Sequence, residues 1–159
     1  MGALSKYIER QGQLAEHLAQ AALQIPPDKI MWKPCEKALP WLGLIHHTSI
    51  GRREVILKYL KGERLDFPAC YFDPANFAKT PQEAATAQLE SWKELKEFLL
   101  SQPEEYDRFS IVPFWGGNRM PIIEFLWLCY EENVHHRGQA WIYARMNGIT
   151  PPSIWGTEA

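Results

Sequence analysis

The chain of 159 residues has few cysteines, no long apolar run and no excess of basic residues. Its three cysteines, Cys35, Cys70 and Cys129, are widely spaced and form no CxxC pair, which excludes a disulfide framework and a zinc ribbon. The lack of a run of about 18 apolar residues excludes a membrane-spanning helix. The first residues also lack the apolar core of a signal peptide. We therefore expect a cytoplasmic protein with no membrane partner.

Charge is nearly balanced, since 17 Lys and Arg stand against 19 Asp and Glu, for a formal net charge of −2. Nucleic-acid binding requires a basic surface that neutralises phosphates, so we expect no nucleic-acid partner. Aromatic residues are plentiful instead, at 13% of the chain with seven Trp. Such side chains fill a wide interior or line a pocket for a small-molecule substrate. The length suits a single domain over residues 1–159.

Four segments have the apolar periodicity of helices, and Pro or Gly residues separate them. They cover about 4–23, 40–60, 81–102 and 121–146. The third has the clearest start, because Thr80 can cap the helix, Pro81 suits its first position and Glu83 completes a capping box. The pattern predicts an all-α fold, a four-helix bundle.

Two connections, 63–79 and 102–120, are long and rich in aromatic residues. A long connection lets the next helix run parallel to the previous one instead of turning back beside it. The loop lengths therefore predict up-down-down-up order. We expect the IVPFWGG stretch of the second connection to form a short extended piece or a lid. Trp115, Tyr71 and Phe72 either wall a pocket mouth or cover the core.

Four of the five histidines form two doublets, one inside the second predicted helix and one inside the fourth. The fourth helix has a mostly apolar face made of Phe125, Cys129, Glu132, His136, Ala140 and Tyr143. Burying Glu132 and His136 there without partners would cost several kcal/mol. A divalent cation offsets that cost, because a carboxylate and a His at this spacing can reach one ion from a single helix. A plain Glu–His hydrogen bond in the core is the alternative.

The second helix supplies a further imidazole. A helical wheel places His47 beside the buried stripe of this helix and His46 towards solvent. The same reasoning places His135 off the face that carries Glu132 and His136. We therefore predict that His47, Glu132 and His136 are the ligands of one divalent metal ion.

The stretch HHRGQAWIYARMNGITPP, residues 135–152, closely resembles the fourth-helix signature of the DinB/YfiT-like superfamily. That signature reads His-x-x-x-His-Arg-Gly-Gln, followed by an aromatic and Arg run, Gly and a Pro pair. The upstream LIHHTSIGRREVIL resembles the second-helix signature of the same superfamily. The resemblance implies an up-down-down-up bundle with a metal held by three His. Carried over, the ligands fall on His47 and His136, and on Glu132 where the family usually has His.

The carboxylate at position 132 affects which metal the resemblance implies. Two His and one carboxylate suit Zn, Ni, Fe or Mn and shift the preference away from soft metals. The resemblance also implies an enzyme in which the metal activates a thiol or water nucleophile. The reaction would be transfer of a low-molecular-weight thiol or hydrolysis. Glu132 is then either a ligand or the catalytic general base.

A non-catalytic protein is the alternative interpretation of the same fold. The bundle would then act as a dimeric stress-response or ligand-binding scaffold. Trp127 and Trp141 are expected on the outer faces of the helices and predict a homodimer, which the resemblance also implies.

Other residues have more than one interpretation. Cys129 is expected to be a buried structural thiol in preference to a ligand or a reactive group. Arg52 either meets an anionic substrate or stays solvated. Gly138 is expected to allow close helix packing, and His17 to lie on the surface.

Overall fold

The computed structural model describes residues 2–65 and 73–155, and four helices contain most of them. Helix α1 spans Ala3–Leu23. Helix α2 continues through three stretches, the α-helical Trp41–Ile50, the π-helical Gly51–Leu57 and the α-helical Lys58–Leu60. Helix α3 spans Pro81–Leu100 and α4 spans Ile122–Met146. Within the described ranges, none of the helices combines the length and the apolar character that a membrane crossing requires.

Short elements occupy the connections. Single 3-10 turns form at Pro27–Lys29, Pro74–Asn76 and Tyr106–Arg108. Two strands, β1 (Ser110–Ile111) and β2 (Met120–Pro121), pair antiparallel before α4 begins. An extended piece therefore forms in this connection, but it takes only Ile111 from the IVPFWGG stretch that was predicted to form it. The Tyr59 hydroxyl ties this stretch to α2 by donating to the Val112 carbonyl oxygen. Tyr71 and Phe72, predicted as possible walls of a pocket mouth, lie outside the described residues.

Helices α2 and α3 run parallel, as their residue pairs show. Near the start of α2, His46 Nδ1 accepts a hydrogen bond from the backbone N–H of Ala78, just before α3. Further along both helices, Arg53 forms a two-pronged ion pair with Glu94, with N–O distances of 2.7 and 2.9 Å. Residue numbers therefore rise together along this pair, and the long connection before α3 has the effect predicted from its length.

Helix α4 runs antiparallel to α2. His47 lies near the start of α2 and its ring contacts that of His136, in the second half of α4. Tyr59 lies near the end of α2 and its ring contacts that of Phe125, in the first turn of α4. Residue numbers rise on one helix as they fall on the other.

Helix α1 runs antiparallel to α3. Ala22, at the end of α1, belongs to the same core cluster as Ala84, at the start of α3. Tyr7, near the start of α1, belongs to the opposite cluster with Leu99 from the end of α3. With α2 and α3 parallel and α4 reversed, the predicted all-α, up-down-down-up four-helix bundle is confirmed.

The start of α3 is capped much as predicted. Thr80 Oγ1 accepts a hydrogen bond from the backbone N–H of Glu83 at 3.1 Å. The return bond is shifted by one residue, because Glu83 Oε2 accepts from the backbone N–H of Lys79 at 2.7 Å. Both bonds satisfy amide groups that a helix start leaves without partners.

The buried face of α3 differs from its apolar stripe. Leu89 lies on the apolar stripe of this helix but is exposed, whereas Gln88 and Ser91 are buried. The reason is Arg52 of α2, which is also fully buried and needs acceptors. Both interpretations of Arg52, as an anion contact or as a solvated side chain, are therefore wrong.

All three nitrogens of the Arg52 guanidinium donate hydrogen bonds to uncharged acceptors. Its Nη1 donates to Ser91 Oγ at 2.8 Å and to the Gln88 carbonyl oxygen at 3.1 Å. Its Nη2 donates to Gln88 Oε1 at 3.3 Å. The Gln11 side-chain oxygen, in the amide orientation that satisfies both groups, accepts from Nε at 3.0 Å. Burial lowers the pKa of Arg52 to about 10, so the group is still a cation at neutral pH.

Two helical glycines have opposite surroundings, which yields a matched prediction. A Cβ on Gly43 would lie 2.7 Å from Phe77 Cδ2, whereas no described atom lies within 4 Å of a Cβ on Gly138. Gly138 therefore does not serve close helix packing, contrary to expectation.

We expect Gly43→Ala to lower the free energy of unfolding by about 1–3 kcal/mol. Gly138→Ala should raise it by about 0.5–1 kcal/mol, because alanine favours helix. Urea denaturation measures both, and equal effects would contradict this difference.

Candidate functional site

Helices α2 and α4 bring His47 and His136 together. The ring centroids are 4.9 Å apart and the ring planes are nearly perpendicular, at 87°. The side chain of His47 is almost fully buried, with 2% of the residue exposed. The expectation that His47 is the inward member of its doublet is confirmed, because the antiparallel helices turn this position towards α4.

Glu132 reaches the same place from one turn earlier on α4. Its Oε1 lies 3.0 Å from His136 Nε2, while 58% of the Glu132 side chain and 12% of the His136 side chain are exposed. The expectation that both polar groups are buried is therefore wrong for Glu132. Asn133 is buried in its place and donates to the Cys129 carbonyl oxygen at 3.1 Å. The buried face of α4 thus keeps Phe125, Cys129, Ala140 and Tyr143 as predicted and extends to Asn133, while Glu132 lies at its rim.

Gln139 sets the tautomer of His136. Its side-chain oxygen lies 2.8 Å from His136 Nδ1. An amide oxygen only accepts, so Nδ1 carries the proton and donates it. In a neutral imidazole the other nitrogen, Nε2, then carries a free lone pair, which is the form that binds a metal.

His136 Nε2, the nitrogen with the lone pair, lies beside the carboxylate of Glu132. Among the described residues this buried atom has no hydrogen-bond partner, although Glu132 Oε1 is only 3.0 Å away. The contact thus has an ion-pair distance but not the direction of a hydrogen bond. An unprotonated nitrogen and a carboxylate oxygen repel each other at this distance unless a positive charge, a proton or a metal ion, lies between them. The Glu–His pair considered as the alternative is thus present as a contact of 3.0 Å without hydrogen-bond geometry.

The three predicted ligands are linked in pairs, His47 to His136 and His136 to Glu132. As the side chains stand, no group of three or more His, Cys, Asp or Glu within 2–65 and 73–155 is arranged to hold a metal ion. The assignment of His47, Glu132 and His136 as metal ligands therefore stays a prediction.

A cavity of about 300 Å³ opens beside Glu132. Its described walls are Gly51, Val55 and Ile56 from α2, Phe114 and Trp115 from the connection between β1 and β2, and Leu128, Cys129, Glu132 and Asn133 from α4. Trp115 thus walls a pocket, as the sequence suggested it could. A mostly apolar cavity with a few polar groups at one end is the usual form of a small-molecule site.

Comparison with known protein families identifies the chain. The model of the DinB family matches residues 69–158, more than half of the sequence. The chain belongs to the DinB family. No curated protein matches it at a significant level. The matched region contains Glu132 and His136, whereas His47 precedes it. The resemblance noted in the sequence is confirmed at the level of the family.

The other histidines of this DinB protein lie outside the pair. His135 is exposed, as expected. His46 is half-buried instead of pointing to solvent, since its Nδ1 accepts the backbone N–H of Ala78 at 3.0 Å. His17 is also half-buried and not on the surface, and burial, then Arg137, lower its pKa. Neither position was evident from a helical wheel, because the covering groups come from other segments.

Cys129 of the DinB protein is a buried thiol, which confirms its structural interpretation. Burial, followed by the nearby charge of Glu132, raises its pKa to about 12. At neutral pH it therefore holds its proton and is a poor nucleophile.

Two features of the site had no sequence signal. Gln139 was given no role of its own from the sequence, because only the folded helix shows that its oxygen meets His136 Nδ1. The π-helical stretch Gly51–Leu57 contributes three walls of the cavity, although the residues read as ordinary helix. Such wide turns occur frequently at functional sites.

Proposed function

We propose that this DinB protein is a metal-dependent enzyme in which His47, Glu132 and His136 hold a divalent ion. The observation that carries the proposal is the buried lone pair of His136 Nε2, which faces Glu132 Oε1 at 3.0 Å without hydrogen-bond geometry. A cation between the two atoms converts this repulsion into attraction. His47, buried against His136, offers the second imidazole.

The residues present fit a metal in their chemistry. Two imidazoles and a carboxylate are the donor set of many catalytic sites for Zn, Ni, Fe or Mn. Gln139 holds His136 in the ligand tautomer. Glu132 is the mobile member of the set, because more than half of its side chain is exposed and free to change rotamer.

The proposed reaction is transfer of a low-molecular-weight thiol to a small-molecule substrate, or hydrolysis of that substrate. A bound divalent ion lowers the pKa of a thiol or water and so supplies the nucleophile. The protein's own part is to orient His136 through Gln139, to keep Cys129 protonated and to place the substrate in the adjacent cavity. Glu132 is proposed first as a ligand and second as the general base.

Metal content of the protein purified without an affinity tag tests the proposal. We expect about one equivalent of Zn, Ni, Fe or Mn per chain by elemental analysis, and its removal by a chelator should lower the melting temperature. Conjugation of a low-molecular-weight thiol to a generic electrophile should require the ion. Protein that remains free of metal after dialysis against each of the four ions would refute the proposal.

The Glu132→Gln variant separates the two roles of this carboxylate. If Glu132 is a ligand, the amide weakens metal binding, and both metal content and activity fall together. Full metal content with lost activity would instead assign the general base. Metal titration and the conjugation assay on the same preparation distinguish these results.

The role of Gln139 gives a further prediction. Gln139→Leu removes the acceptor of His136 Nδ1–H, so we expect metal affinity to fall by about 10–100-fold, the usual cost of losing such a partner. Gln139→Glu keeps an acceptor at this position and should retain most of the affinity. Isothermal titration with Zn²⁺ measures both variants, and equal affinities for Leu and Glu would exclude an orienting role.

A cytoplasmic location and a homodimer belong to the proposal too. Cys35 and Cys129, in the described part of the chain, are free thiols, as a reducing compartment requires. The reason for expecting a dimer changes, however, because Trp141 is buried in the core and not on an outer face. Leu128, Ile142 and Met146 are exposed apolar residues of α4 that a second copy would cover. Light scattering in solution measures the state directly.

A further inference from the structure

Two aromatic side chains, Phe114 and Trp115, wall the mostly apolar cavity beside Glu132, called the slot below, and their rings meet edge-on, with centroids 4.8 Å apart and 82° between the planes. Trp115 stacks on Phe125 with ring centroids 5.5 Å apart and 19° between the planes. Phe114 meets Phe125 edge-on at 6.1 Å, which fixes the second aromatic wall. Val55 and Ile56 close the slot from α2. Fixed aromatic faces of this kind favour stacking with another flat ring.

The volume limits the size of the occupant. About 300 Å³ is at the lower end of the range of about 300–1,000 Å³ typical of ligand pockets. One or two fused aromatic rings with a short substituent suit this space better than a long chain or a nucleotide.

The charge on the described wall residues of the cavity is negative. Of the wall residues that the structure describes, Glu132 alone is charged, and Asn133 adds a neutral amide. Arg52 follows the wall residue Gly51, but its guanidinium is bonded to Gln88 and Ser91 of α3. In the protein without metal, an anion in the slot would therefore face a carboxylate with no cation beside it, whereas a cation would be attracted.

We infer that the slot binds a small flat aromatic molecule, and that in the protein without metal it accepts a neutral or positively charged one and rejects its anionic analogue. As the identity of a substrate this rests on the proposed function. Binding itself uses only the aromatic walls and Glu132, so it does not require the metal.

Three naphthalene probes of equal shape and different charge test the inference. Isothermal titration in the presence of a chelator uses 2-naphthylmethylamine, 2-naphthalenemethanol and 2-naphthoate as cation, neutral molecule and anion. We expect the first two to bind and the anion to bind at least about tenfold more weakly. No binding by any probe, or equal binding of cation and anion, would overturn the inference.

Variants assign the binding to this slot. Trp115→Ala should weaken the cationic and neutral probes by about tenfold or more, since it removes a stacking wall. Trp155→Ala is the matched control, because Trp155 lies outside the slot with 83% of its surface exposed. Glu132→Gln should bring the affinities for cation and anion within a few-fold of each other. Unchanged affinities in Trp115→Ala, or unchanged discrimination in Glu132→Gln, would contradict the assignment.

The experiment also separates the two proposals. Probe binding in protein that never takes up metal would support the slot and refute the metal-dependent enzyme. Stoichiometric metal in protein that binds none of the probes would refute the slot and leave the metal proposal standing.

Discussion

A His136→Ala variant is expected to purify without metal, whereas the proposed function gives the wild-type protein one stoichiometric ion. His136 is the central member of the site, since it contacts His47 on one side and Glu132 on the other. Losing its Nε2 removes a ligand outright, so the loss of affinity should exceed the about 10–100-fold typical of losing a partner that only orients a ligand. Elemental analysis and Zn²⁺ titration measure the change.

His135→Ala is the matched control for this variant. His135 is the neighbouring residue on the same helix; it is exposed and is not a predicted ligand, although its ring lies 5.3 Å from that of His136. It should keep full metal content and the stabilising response to metal. Chelator should lower the melting temperature of wild type and His135→Ala, and leave that of His136→Ala unchanged. Full metal content in His136→Ala would show that the ion binds elsewhere.

Gln88→Leu is expected to have the largest effect on stability. Gln88 accepts from Arg52, and its Nε2 donates to Thr48 Oγ1 at 2.7 Å and to the Ile45 carbonyl oxygen. Leucine has a similar size but leaves the buried guanidinium short of an acceptor, with no access to water. We expect the free energy of unfolding to fall by about 2–3 kcal/mol, because the buried cation loses one acceptor but keeps Ser91, the backbone carbonyl of residue 88 and Gln11. Urea denaturation at neutral pH measures it.

A double variant shows whether the stranded charge is the cause. Arg52→Met together with Gln88→Leu removes the cation and its acceptor at once, so it should be more stable than Gln88→Leu alone by about 1–3 kcal/mol. Arg53→Met serves as the surface control, because its ion pair with Glu94 is largely solvated and worth about 0.2–1 kcal/mol. A double variant no more stable than Gln88→Leu would show that lost packing, not charge, sets the cost.

The sequence alone predicted the helices, their order and the inward histidine. Helix ends depend on neighbouring residues, such as Thr80 and Glu83, whose bond forms as expected. The parallel direction of α2 and α3 followed from loop length, a property of the chain and not of its packing. The choice of His47 over His46 followed from the position of apolar neighbours on one helix.

Packing between helices decided what the periodicity of a single helix could not. Arg52 reads as a surface or ligand-binding residue until Gln88 and Ser91 of α3, 36 and 39 residues later, supply its acceptors. Glu132 lies on an apolar stripe, yet the folded helix turns Asn133 inwards instead. A helical wheel gives the edge of a buried face with an uncertainty of about one residue. That uncertainty is enough to exchange a core position for a position at the rim.

The chemistry of the site was likewise predicted from the sequence in part and decided by the tertiary structure in part. The residue types and spacing of α4 indicated from the sequence alone that a carboxylate and an imidazole meet. Only the tertiary structure showed that the Gln139 side-chain oxygen accepts a hydrogen bond from His136 Nδ1 and that His136 Nε2 faces Glu132. It also showed the aromatic slot beside them. These features depend on distances between side chains from separate segments, and such distances exist only once the bundle has closed.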